Sequence, residues 1–169
     1  LVGSEMCIRD RPHGLSNAML LPTITEFSIV LAGFSGLVIA IGSEKGSTNS
    51  LVKHRTILML TLSFAAAFGS LLPLIANAWQ INDIWIFSSY SLVPILLITL
   101  AIETTSSRFL LSPEERSQLK GYMYVLVYGG NLTFVFALVL SPSINIFVTA
   151  LIWQLIVSTI FYVRLILQA

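Results

Sequence analysis

The length of its uninterrupted apolar runs constrains this chain more than any other feature. Five runs stand out, covering roughly 24–41, 57–78, 84–102, 122–140 and 144–167. A helix of about 20 apolar residues matches the hydrocarbon thickness of a bilayer. A helix also satisfies its own backbone hydrogen bonds, which lipid cannot do for it. A β-barrel would instead show alternating segments of about 10 residues, and the runs do not alternate. Only 10% of the residues are charged, against about 25% in an ordinary soluble domain, so water cannot be the solvent on all sides. The expected fold class is therefore all-α: a polytopic transmembrane helical bundle with five spans. The lipid bilayer is its first partner. A net charge of +1 gives no clustered cations for phosphate, so no nucleic acid is expected as a partner.

Residues 1–21 stand apart from the single helical domain expected over 22–169. "LVGSEMCIRDR" has no periodicity and resembles a translated sequencing-adapter tract, so residues 1–11 are set aside and Met19 is taken as a plausible native start. Cys7, the only cysteine, lies in that tract, which removes disulfide and thiolate chemistry from consideration.

The basic residues set the threading. Lys45, Lys53 and Arg55 separate the first two runs, Arg108, Arg116 and Lys120 separate the third and fourth, and Arg164 closes the fifth. The turns at "WQIND" and "SPS" carry no Lys or Arg. This alternation predicts the amino terminus outside and the carboxyl terminus in the cytoplasm. Trp79 and Trp85 fall where an outer aromatic belt belongs, and Tyr122, Tyr124 and Tyr162 where an inner one does. "SPEE" at 112–115 reads as a capping box with Pro at the first helical position.

Polar residues within the runs are the candidate site positions: Glu26, Asn77, Glu103, Asn131 and Gln154. Thr23 and Glu26 have the Thr-x-x-Glu spacing of a capping box, and a negative charge suits a helix amino terminus. Capping is the preferred reading of Glu26, with an ion or substrate path as the rival. Glu103 lies within reach of Lys53, Arg55, Lys120 and Arg164, which predicts an interfacial ion pair. Gly129, Gly130 and Asn131 interrupt the fourth run, and Gln154 lies comparably deep in the fifth. Because "SPS" makes those helices antiparallel neighbours, an Asn131–Gln154 hydrogen bond is expected, with a broken helix lining a polar cavity as the alternative.

Small residues predict helix packing. Ser28, Ala32, Gly36 and Ala40 recur every fourth position with Gly33 beside them, and Ser63, Ala66, Ala67, Gly69 and Ser70 offer a counterpart. Tight packing within one subunit is preferred to a dimer face. His13 and His54 have no helical spacing suited to haem or zinc, and no His-Glu-x-x-His, nucleophilic triad or phosphate loop is present. No cofactor, metal or catalytic residue is expected.

Glu26, "AGFSG" at 32–36, the basic loop ending in Arg55, "SLLPL" at 70–74 and Trp85 followed by Ser88 and Ser89 together resemble a family of small bacterial multi-pass membrane proteins. The resemblance covers the first three spans. It implies a bacterial inner-membrane home and brings no activity. The expectation is a non-enzymatic accessory or self-associating module, partnered by a second copy or another membrane protein. The alternative is a small oligomeric transporter or channel using Glu26 and the Gly129–Asn131 region.

Overall fold

The computed structural model describes residues 20–43, 50–118, 121 and 125–167. Cys7, His13, Met19, Lys45, Lys120, Tyr122 and Tyr124 lie outside them, as do the side chains of Ala40 and Arg116. All the regular structure among the described residues is helical. In chain order the helices are α1 (Leu20–Ser43), α2 (Ser50–Ala78), α3 (Ile84–Leu110) and the short α4 (Pro113–Gln118). A π-helical turn (Val125–Gly129) then runs into α5 (Gly130–Leu140), and α6 (Ile144–Ile166) follows. Three helices, α2, α3 and α6, are long and apolar enough to cross a membrane. Leu21–Phe34 and Val125–Leu140 are shorter apolar helical stretches.

Two helices overrun their apolar stretches. α2 begins at Ser50 and α3 ends at Leu110, so Lys53, His54, Arg55 and Arg108 ride on regular helix. Apolar length measures the hydrocarbon core, whereas a helix ends where caps and loop residues stop it. The stop at the other end of α2 is a Schellman motif. Ile81 N–H donates to Ala76 C=O and Gln80 N–H to Asn77 C=O, both at 3.0 Å. Gln80 occupies the left-handed position with φ 55°, a place more often filled by glycine. Ser112 and Glu115 form the reciprocal capping box that starts α4: the Ser112 amide donates to Glu115 Oε2 at 2.8 Å and the Glu115 amide to Ser112 Oγ at 3.2 Å.

α2 is the central helix, making its most extensive contacts with α1, α3 and α6, while α5 leans mainly on α3. Apolar packing divides into two groups. Leu92, Leu96, Leu138, Phe147 and Leu151 centre the larger, and Met59, Leu62, Val127, Val157 and Phe161 the smaller. Phenylalanines such as Phe68, Phe109 and Phe136 point outward, a pattern that suits a lipid surround.

Close approach is built on a few small residues. At Gly69 an added Cβ would lie 2.5 Å from Leu151 Cδ2 and 2.9 Å from Leu92 Cδ1, so glycine lets three helices meet. At Gly130 it would meet the Trp153 indole, whereas at Gly129 it would only touch Val125 Cγ1 at 3.8 Å. The small-residue stripe of α1 behaves differently. Ser28 is buried, but a Cβ on Gly33 or Gly36 would meet no described atom within 4 Å. Packing inside one subunit, expected of this stripe, therefore does not include those two glycines. The side α1 turns to α2 carries Leu21, Ile24, Ser28 and Leu31, and the glycines fall off that face.

Candidate functional site

The polar residues of the bundle gather at three levels. At the end bearing the α2–α3 turn, α1, α2 and α3 border a half-open cavity of about 460 Å³. Its walls include Glu26 and Thr25 from α1, Ser70, Pro73 and Asn77 from α2, and Trp85 from α3. Glu26 and Asn77, picked out separately in the sequence, thus share one site. α1 starts by Leu20, with Pro22 in its first turn, where a missing N–H costs nothing. Glu26 is therefore the seventh residue of the helix and not its cap, and the Thr23–Glu26 capping box does not form. The apolar Leu20 and Leu21 extend the helix upstream of the Thr-x-x-Glu signal.

Two hydroxyls define the polar wall. Thr25 Oγ1 and Ser70 Oγ lie 2.6 Å apart. Thr25 Oγ1 is also 2.9 Å from Leu21 C=O, and Ser70 Oγ is 2.7 Å from Ala67 C=O. Trp85 does not stand only in an outer belt: it lines the cavity and meets Phe147 edge-on at 6.1 Å. Trp79 is the outward-facing one.

In the middle of the bundle Gln154 Nε2 donates to Asn131 Oδ1, joining α6 to α5 as the antiparallel reading requires. Both side chains are fully enclosed. Ser63 and Ser158 meet at 2.8 Å across α2 and α6, and Ser158 also reaches Met59 C=O at 3.1 Å. The π-helical turn lies directly before Gly130, and Thr133 Oγ1 bonds Gly129 C=O at 2.7 Å. Where sequence suggested a broken helix, the chain widens for one turn and continues.

At the third level, the opposite end, His54 Nδ1 and Ser106 Oγ are 3.0 Å apart, and Ser106 Oγ lies 3.0 Å from Glu103 C=O. Glu103 and Arg55 are both buried, yet Glu103 Oε2 and Arg55 Nη1 have no hydrogen-bond partner. For the ion pair expected of Glu103, Oε2 finds no hydrogen bond among the described residues, and Lys120, one of the expected cations, lies outside them. The His54–Ser106 contact escaped sequence reading, because nothing in the spacing of two helices reveals their relative rotation.

No group of three or more metal-binding side chains occurs among the described residues. No protein-family model, curated protein or solved structure matches this chain.

Proposed function

We propose that this chain is a five-span protein of the bacterial inner membrane, with its amino terminus outside and its carboxyl terminus in the cytoplasm. It acts without chemistry of its own, as a self-associating or accessory module that engages other helices through α1. The threading is supported by three long apolar helices and two shorter ones. Lys53, Arg55, Arg108 and Arg164 all lie at the ends of helices away from the α2–α3 turn.

One observation carries the self-association. Gly69 and Gly130 are consumed by packing inside the bundle, whereas Gly33 and Gly36 lie on its outside, touching no described side chain. Between helices in lipid the hydrophobic effect is absent, so a flat glycine surface that lets backbones approach is a principal source of association. Crosslinking in lipid nanodiscs and liposomes tests this. Wild-type protein should crosslink as a dimer or higher oligomer, and Gly33→Leu or Gly36→Leu should yield monomer with an unchanged thermal midpoint. A monomeric wild type at every protein-to-lipid ratio refutes the reading.

The small oligomeric transporter remains as a second reading because Glu26 opens onto a cavity. The Gly129–Asn131 region gives it less support, since Asn131 is engaged by Gln154. Proteoliposome flux that disappears in Glu26→Gln would favour the transporter over the accessory module.

A further inference from the structure

The cavity beside Glu26 has a chemistry that selects an occupant. Its size falls in the lower half of the range of about 300–1,000 Å³ typical of small-molecule sites. Leu71 and Leu74 line it and are also outward-facing, so its mouth borders the surface that meets the outer leaflet. The wall is largely apolar, with one carboxylate.

The hydroxyl pair in the wall accepts hydrogen bonds but has none to give, whereas Asn77 and Trp85 add N–H donors to the lining. Thr25 and Ser70 possess two hydroxyl protons for three contacts: one with each other and one with each of two carbonyls. Both protons are committed however they are arranged, and only lone pairs remain for an occupant. Glu26, an acceptor when ionised, makes no hydrogen bond or ion pair with a described residue. Asp83 adds a second acid at this end, and no described Lys, Arg or His lies there. A ligand that brings N–H donors, positive charge and an apolar body therefore suits Glu26, the hydroxyl pair and the apolar lining.

We propose that this cavity binds a small amphiphilic primary amine, its ammonium against Glu26 and the Thr25–Ser70 pair and its apolar body between Leu71, Leu74 and Trp85. An ammonium supplies three donors to the Glu26 carboxylate and the two hydroxyl oxygens, and an indole in the lining suits a cation. The amine enters from the membrane, either as a free alkylamine or as the headgroup of an aminolipid. Neither source depends on the self-association of α1.

The full chain in phosphatidylcholine nanodiscs provides the test, because a choline headgroup has no N–H to donate. Hexylamine should raise the thermal midpoint saturably, and hexanol should act at least about tenfold more weakly, a difference of one charged donor group. Glu26→Gln should abolish that preference, and Leu74→Trp, which fills the mouth, should abolish the response to hexylamine. In discs doped with phosphatidylethanolamine, native mass spectrometry should show either retention of that lipid, displaced by hexylamine, or binding of hexylamine alone. The first identifies the lipid as source and the second the free amine. Equal responses to amine and alcohol in the wild type, or a preference that survives Glu26→Gln, overturn the proposal. The wild-type comparison decides the matter even if a variant fails to fold.

Discussion

Gly129 and Gly130 are adjacent and identical in sequence terms, yet alanine at each should have opposite effects. At Gly130 the new methyl group would overlap the Trp153 indole at Nε1, Cε2 and Cζ2. That ring is rigid and is itself packed against Phe134, with centroids 6.0 Å apart, so it cannot swing aside as a leucine terminus could. Overpacking of this kind costs about 1–3 kcal/mol, and the rigidity of the partner places Gly130→Ala toward the upper end. The better helix propensity of alanine offsets about 1 kcal/mol, leaving a net loss of about 1–2 kcal/mol. Gly129 has helical φ −62° and ψ −47° and space for a methyl at ordinary contact distance. Only the propensity gain applies there, so Gly129→Ala should stabilise by about 0.5–1 kcal/mol. At about 2–4 °C per kcal/mol for a chain of this size, thermal midpoints in a single detergent should move in opposite directions. Trp153→Phe removes the edge of the ring that is struck, so the Gly130→Ala penalty should shrink by about half or more in that background, a coupling of about 0.5–3 kcal/mol. Shifts of the same sign for both alanines, or no relief from Trp153→Phe, would refute the packing of α5 against α6.

Further expectations concern the other polar sites. Asn131→Leu and Gln154→Leu should each destabilise by about 0.6–1.7 kcal/mol, and the double variant by less than their sum, read from a double-mutant cycle of unfolding in mixed micelles. Equal additivity would mean that the two amides do not bond. Glu103→Leu should retain or raise the thermal midpoint, because it removes a buried carboxylate oxygen with no hydrogen-bond partner among the described residues; a large loss would reveal an ion pair. Gln80→Gly should stabilise the α2–α3 turn by up to about 1 kcal/mol, since glycine accepts the left-handed backbone freely. A drop in its unfolding temperature would mean that the Gln80 side chain holds the turn.

Sequence read well wherever a local rule decided the outcome. Apolar length placed the helices, the Ser112–Glu115 spacing placed a cap, and the tight Ser-Pro-Ser turn brought Asn131 to Gln154. It failed where two signals competed or where rotation between helices mattered. Thr23 and Glu26 have capping spacing, but Leu20 and Leu21 continue the helix past them. Glu103 has several cations within reach along the chain, but the packing of α2 on α3 sets His54 against Ser106, the residue that bonds the Glu103 backbone carbonyl one helical turn on. The glycines of α1 carry the same pattern as Gly69, and only the three-dimensional arrangement separates those that pack from those that face outward. The cavity at Glu26 was illegible for the same reason: its walls come from three helices.

Sidedness of the α2–α3 turn relative to α4 bears most directly on the proposed threading. With Cys7 changed to serine, Asn82→Cys and Ser117→Cys are labelled singly in sealed bacterial spheroplasts with a membrane-impermeant maleimide. Five spans with the amino terminus outside predict that position 82 reacts at once and that position 117 reacts only after permeabilisation. Reaction of both from the same side would contradict it.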